Sequence, residues 1–157
     1  MTFTIREAAP EDLDALTALY QSYFADLKAH GMNFELRTEN LSRVLQARVR
    51  SHLLLAAVAE AEDGAAAGFA FASILRLGAE YSSGGAACVG CINELYVAPA
   101  ARRQGLSRRL ADFCEDWLRD RNVAAVQVQV LAGNDPARAM WQAYGMTPVS
   151  TIYEKKL

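Results

Sequence analysis

The sequence predicts a mixed α/β layer fold in one domain, residues 1–157. Three observations predict it. Short β-type runs alternate with segments whose apolar residues recur at helical spacing. Glycine and proline punctuate the joins between them. With 157 residues, 52% of them apolar and 22% charged, the chain can bury one core and has an ordinary globular composition. No repeat, linker or low-complexity block divides it.

The opening "FTIREA" reads as a short strand. "PEDLDALTALYQSYFADLKAHG" follows as a helix, with Pro10 near its start and Gly31 just past its end. Leu13, Leu16, Tyr20, Tyr23, Phe24 and Leu27 mark its apolar face. "TENLSRVLQARVR" is a second, shorter helix, with Thr38 expected as N-cap. "HLLLAAVAEA" and "AAAGFAFASILRL" are two strands around the turn signal "EDG". "GAEYSSGGAACVG" has loop composition, and "CINELYVAP" is a strand stopped by Pro99. Leu106, Leu110, Phe113, Cys114, Trp117 and Leu118 give the next helix its apolar face. "VAAVQVQVLAGN" alternates as a half-buried strand does. "DPARAMWQAYG" is a short helix ended by Gly145, and "TPVSTIYEKKL" is expected to close the sheet as a last strand.

A net charge of −2 gives no global attraction to nucleic acid. No run approaches the length of a membrane span, and the start has no apolar stretch of signal-peptide length. The expectation is a cytoplasmic protein with neither nucleic acid nor membrane as partner. Cys88, Cys91 and Cys114 are too few, and odd in number, for a disulfide framework. The Cys88–Cys91 pair runs into a strand and has no further ligands nearby in sequence, so packed thiols are expected and no metal.

Charge concentrates in "AARRQGLSRRL", where Arg102, Arg103, Arg108 and Arg109 surround Gly105 at a helix start. The helix dipole already makes that end positive, so the arginines add to an unfavourable field unless an anion sits there. First-turn N–H groups without helical partners, a glycine permitting close approach and flanking guanidinium groups together suit a phosphate. Neither the P-loop pattern nor the dinucleotide fingerprint is present.

Arg102-Arg103-Gln104-Gly105-Leu106-Ser107 resembles the R/Q-x-x-G-x-G/A loop of the GNAT superfamily of acyl-CoA N-acyltransferases. "INELYVAPAARRQGLSRRL" resembles that family's fourth strand, loop and helix, and "NDPARAMWQAYGM" its second motif, with Asn134, Ala137, Met140 and Gly145 at the matching positions. The resemblance is specific from about Ile92 to Met146 and topological before that. It implies a mostly antiparallel sheet flanked by helices, with the fourth and fifth strands splayed. It implies acetyl-CoA as co-substrate, with the pyrophosphate on Arg102, Arg103, Gln104, Gly105, Leu106, Ser107 and Arg108. The pantetheine arm would lie along the backbone of Leu95, Tyr96 and Val97, one N–H polarising the thioester carbonyl. Asn134 would fix the pantetheine or cap the following helix, and Trp141 would be a wall beside the thioester. Two of these positions depart from the family pattern. Ser107 replaces a glycine or alanine, and Trp141 stands where many members carry the tyrosine that protonates the leaving thiolate.

The activity implied is an acetyl-CoA-dependent N-acetyltransferase acting by direct attack of a primary amine, on a small cationic molecule or on a protein. The alternative is a CoA-binding sensor with little turnover. Glu94, on the strand lining the cleft, is the candidate base, with a strand glutamate that points to solvent or pairs with an arginine as the plain reading. Asn93 lies on the opposite face of a regular strand, which a bulge would change. Tyr144, or else water, is the candidate acid. Asp26, Glu35, Glu39 and Glu80, with Tyr20, Tyr23, Phe34 and Tyr81, are candidate acceptor-pocket residues for a cationic amine. Dimers are common in the family; no feature of the sequence shows one here.

Overall fold

The computed structural model describes all residues, Met1–Leu157. The elements are β1 (Phe3–Glu7), α1 (Leu13–Ala29), α2 (Thr38–Arg50), β2 (Leu55–Ala61), β3 (Ala66–Arg76), β4 (Cys88–Val97), α3 (Leu106–Arg119), β5 (Val126–Val128) and α4 (Asp135–Tyr144), with single 3-10 turns at Pro10–Asp12 and Pro99–Ala101. The five strands form one sheet in sequence order. β1 to β4 pair antiparallel and β5 joins β4 in parallel, so the sheet is mixed and mostly antiparallel, as expected.

Each face of the sheet carries its own core. Side chains alternate across a strand. Leu55, Ala57, Ala59, Ala70, Ala72, Ile92 and Val97 face α3 and α4, where Leu106, Leu110, Ala111, Cys114, Leu118 and Trp141 meet them. Ala56, Val58, Phe69, Phe71 and Tyr96 face α1 and α2, against Leu16, Leu41 and Leu45. The small residues on the α3 side let that helix lie close to the sheet. A Cβ on Gly68 would fall 2.6 Å from the Tyr96 carbonyl oxygen and 3.4 Å from the Leu110 side chain. Gly68→Ala is therefore expected to destabilise the fold by about 1–3 kcal/mol through overpacking, read as a lower urea midpoint at unchanged slope. An unchanged midpoint would contradict this packing.

Four expectations are corrected. Thr38 is not the N-cap of α2: that position falls on Arg37, no side-chain oxygen caps it, and Thr38 is already helical. β4 starts at Cys88 rather than after the glycine-rich loop, because Gly90 and Cys91 pair with both β3 and β5. β5 is only three residues long, although the alternation runs further. The segment from Thr147 to Leu157 forms no strand and is exposed. Pro148 lacks a ladder donor and β5 offers only a short edge to pair with.

Candidate functional site

Between the Pro99–Ala101 turn and α3, Arg103 and Gly105 both take left-handed backbone, φ 64° and 73°. Left-handed residues interspersed in such a turn aim successive N–H groups into one concavity. None of the backbone N–H groups from Arg103 to Arg108 has an acceptor in the protein. Arg109 is the first to close a bond, to the Gly105 carbonyl at 3.2 Å. Gly105 is the N-cap of α3 and brings no capping side chain. The Leu106 side chain anchors the loop in the core.

The four arginines divide. Arg102 donates from Nε to the Val97 carbonyl at 2.9 Å, pairs through Nη2 with Asp26 at 2.6 Å, and lies 5.5 Å over the Tyr96 ring. Arg109 donates to the Phe3 carbonyl at 2.9 Å and ties α3 to β1. Arg103 has no hydrogen bond or ion pair, and Arg108 touches only the face of Tyr144, 5.5 Å away. Arg103 and Arg108 are thus the charges left over beside the open amides.

The strand leading into this loop is half-paired. β4 and β5 pair only at Gly90–Val126, Cys91–Gln127 and Ile92–Val128. Past Ile92 the β5 side of β4 lies open. The N–H of Ala98 bonds to the Ala67 carbonyl at 2.8 Å on the β3 side. Alternation then turns Tyr96 and Glu94 toward β3, and Leu95 and Val97 toward the gap. The residues expected to meet an extended ligand therefore include two whose backbone faces open space.

The register slips at the same point. Phe71 pairs with Glu94 and Ala72 with Ile92, so Asn93 is the extra residue of a bulge. Its side chain accepts a hydrogen bond from the Ser73 hydroxyl at 2.8 Å. In a regular strand Ile92 and Glu94 would share a face. The bulge keeps Ile92 in the α3 core and sends Glu94 to the α1–α2 side. There Glu94 Oε1 accepts from Arg48 Nη1 at 3.0 Å and from the Tyr20 hydroxyl at 3.2 Å. Glu94 Oε2 is fully buried and has no donor. The Arg48 guanidinium sits 5.0 Å from the Phe71 ring centre and 6.0 Å from that of Tyr20. Burial works against its charge, and Glu94 and Tyr20 together still hold its pKa above the ordinary arginine value. Burial first, then the Glu94 charge, pushes the Tyr20 hydroxyl up to about 12, so it stays a donor.

On the far side of the gap, Asn134 accepts at Oδ1 from the Ala137 N–H at 3.2 Å and is the N-cap of α4. Trp141 is buried in the α3–α4 core, edge-on to Tyr144 at 5.8 Å. The Tyr144 hydroxyl donates to Asp112 Oδ1 on α3 at 2.8 Å. Burial and that bond raise its pKa above the ordinary phenol value.

The acidic residues expected around an acceptor do not converge. Asp26 is taken by Arg102 and Glu35 by Lys28, while Glu39 and Glu80 are exposed, as are Phe34 and Tyr81. Tyr20 and Tyr23 do line the Glu94 side, packed on Phe69 at 5.8 and 5.7 Å. The residue that sequence reasoning missed is Arg48, the cation inside the aromatic cluster. Its signal was present: Leu41, Leu45 and Arg48 follow i, i+4, i+7 on the buried stripe of α2, where an arginine needs a partner. No group of three or more His, Cys, Asp or Glu is placed to hold a metal, and no helix is long and apolar enough to cross a membrane.

A family profile, the Acetyltransferase (GNAT) family, matches residues 13–146. Aminoglycoside N(6')-acetyltransferase type 1 of Klebsiella aerogenes is 34% identical over 95 residues, which are 60% of this chain and 60% of that protein. Mycothiol acetyltransferase of Beutenbergia cavernae is 42% identical over 64 residues, 41% of this chain and 22% of that protein. The chain thus spans 60% of the first of these curated relatives and 22% of the second. Among solved structures, aminoglycoside N-acetyltransferase AAC(6')-Iy in complex with CoA superposes with a TM-score of 0.81 at 17% identity, covering 99% of this chain and 95% of that one.

Proposed function

This chain belongs to the GNAT acetyltransferase family, and on that premise we propose that it moves an acetyl group from acetyl-CoA to a primary amine of a small molecule, as a single domain of residues 1–157. The observation that carries the reading is the run of backbone N–H groups from Arg103 to Arg108 without acceptors, at the end of a strand that opens onto a gap. Such a run suits a pyrophosphate, which supplies several acceptor oxygens and the negative charge that the helix end and the free arginines lack. The similarity to aminoglycoside acetyltransferases supports a small amine that is cationic at neutral pH.

The reaction follows from this placement. With its phosphates on the Arg103–Arg108 amides, the coenzyme's arm runs along β4 and uses the outward N–H groups of Leu95 and Val97 as an added strand would. An N–H there stabilises the oxyanion formed as the amine nitrogen attacks the thioester carbon. Glu94 takes a proton from the ammonium and so frees the nitrogen lone pair for this attack; the tetrahedral nitrogen then loses its second proton to water, the carbon–sulfur bond breaks, and the thiolate leaves. Water protonates the thiolate, because the Tyr144 hydroxyl is engaged by Asp112 and Trp141 has no suitable proton.

Tyr144→Phe should therefore leave turnover within about twofold and the alkaline limb of the pH profile in place. Trp141→Tyr should bring no gain in turnover. A fall of about tenfold or more in Tyr144→Phe, with a moved alkaline limb, would make Tyr144 the acid after all. The reading as a whole is tested by thiol release from acetyl-CoA with a panel of primary amines. Acetylated product with at least one amine is expected. CoA binding without thiol release from any amine would make the protein a binding module instead.

A further inference from the structure

Glu94 has two oxygens in different states. Oε1 is saturated by Arg48 and Tyr20, whereas Oε2 is buried with no donor. A buried carboxylate oxygen without a donor is costly, so it marks a place where something else donates. The Glu94 side chain is only 13% exposed, and no residue of the chain supplies the missing donor. We infer that Arg48 is a positioning residue for acetyl transfer, pinning Glu94 through Oε1 so that Oε2 is the atom that takes the acceptor's ammonium and then its proton. This rests on the acetyltransferase reading above and assigns the roles of the two oxygens within it.

Besides the neutral Tyr20 hydroxyl, the surroundings leave no other group to fix Glu94. α1 contributes Tyr20 and Tyr23, both protonated and neutral. α2 contributes Arg48, and β4 itself contributes Tyr96, whose hydroxyl burial also holds above its ordinary value. The adjacent β3 contributes the rings of Phe69 and Phe71. Arg48 is therefore the one charge facing Glu94. The guanidinium is in turn held between rings, a geometry that suits its flat, delocalised charge. Because Arg48 cancels the carboxylate charge, the pocket attracts an amine by one directed hydrogen bond and ring faces rather than by a net negative field.

The sign of the test follows from the charges. A carboxylate working as a base must be ionised, and a neighbouring cation favours the ionised form. Removing that cation moves the acid limb of kcat/KM for the amine to higher pH. Arg48→Met is expected to shift it upward by about one pH unit and to lower plateau kcat about tenfold, with CoA affinity by calorimetry within about twofold. Arg48→Lys keeps a cation near the same place and should hold the limb within about 0.3 units of the parent. If Arg48→Met fails to bind CoA, Arg48→Gln replaces it as the neutral variant, with the same upward shift expected. An acid limb unmoved in a neutral variant that binds CoA overturns the inference while acetyl transfer by the parent stands. A parent protein that acetylates no primary amine removes the underlying reading, and this role for Arg48 with it.

Discussion

Glu94→Gln is expected to lower kcat by about 10²–10⁴-fold, the usual range for losing a positioned base. Glutamine keeps the shape and removes the basic oxygen, so CoA affinity should stay near that of the parent. The substitution also leaves the half-buried Arg48 without a charge partner, so the melting temperature should fall. Stability and turnover can be separated by assaying well below the melting transition. The acid limb due to the carboxylate should vanish along with the rate. A variant with parental kcat and an unaltered pH profile would make the Glu94–Arg48 pair purely structural.

Gly105→Asp should cost at least about 100-fold in CoA affinity while the protein still folds. No atom lies within 4 Å of the Cβ position, so the side chain has room. The left-handed φ of 73° costs an aspartate about 1 kcal/mol, offset in part by a negative charge near the positive helix end. That same charge, beside the open amides, repels the pyrophosphate. Arg103→Ala and Arg108→Ala, which remove only screened charge, should weaken binding about three- to tenfold, and less at high salt. Arg102→Ala should act mainly through loss of the Asp26 pair and the Val97 contact. Parental CoA affinity in Gly105→Asp would remove the loop from the binding site.

The reach of the sequence can be judged residue by residue. Helices and strands were legible wherever one face is buried, because periods of 3.6 and 2 are forced by geometry; α3 and the central strands are examples. The Gly105 turn was legible because an unfavourable charge pattern is visible without coordinates. Which of its arginines are free was not, since Arg102 and Arg109 are claimed by Asp26 and the Phe3 carbonyl, both distant in sequence. The side to which Glu94 points depended on one extra residue in β4, and a bulge at Asn93 leaves no periodic trace in so short a strand. The Thr147–Leu157 segment carries strand-like residues, yet a strand exists only where an edge accepts it, and β5 ends after three residues. Arg48 was overlooked because charged residues are by default assigned to the solvent side of a helix, although its spacing from Leu41 and Leu45 put it on the other.

A coenzyme seated on the Arg103–Arg108 amides and along the open side of β4 can be seen by titrating CoA into the uniformly 15N-labelled protein and following each backbone amide resonance. The amides of Arg103 to Arg108, together with Leu95 and Val97, are expected to shift in one saturable transition with a common Kd. If those resonances stay fixed while CoA binds, with the changes clustered elsewhere on the sheet, the coenzyme binds elsewhere.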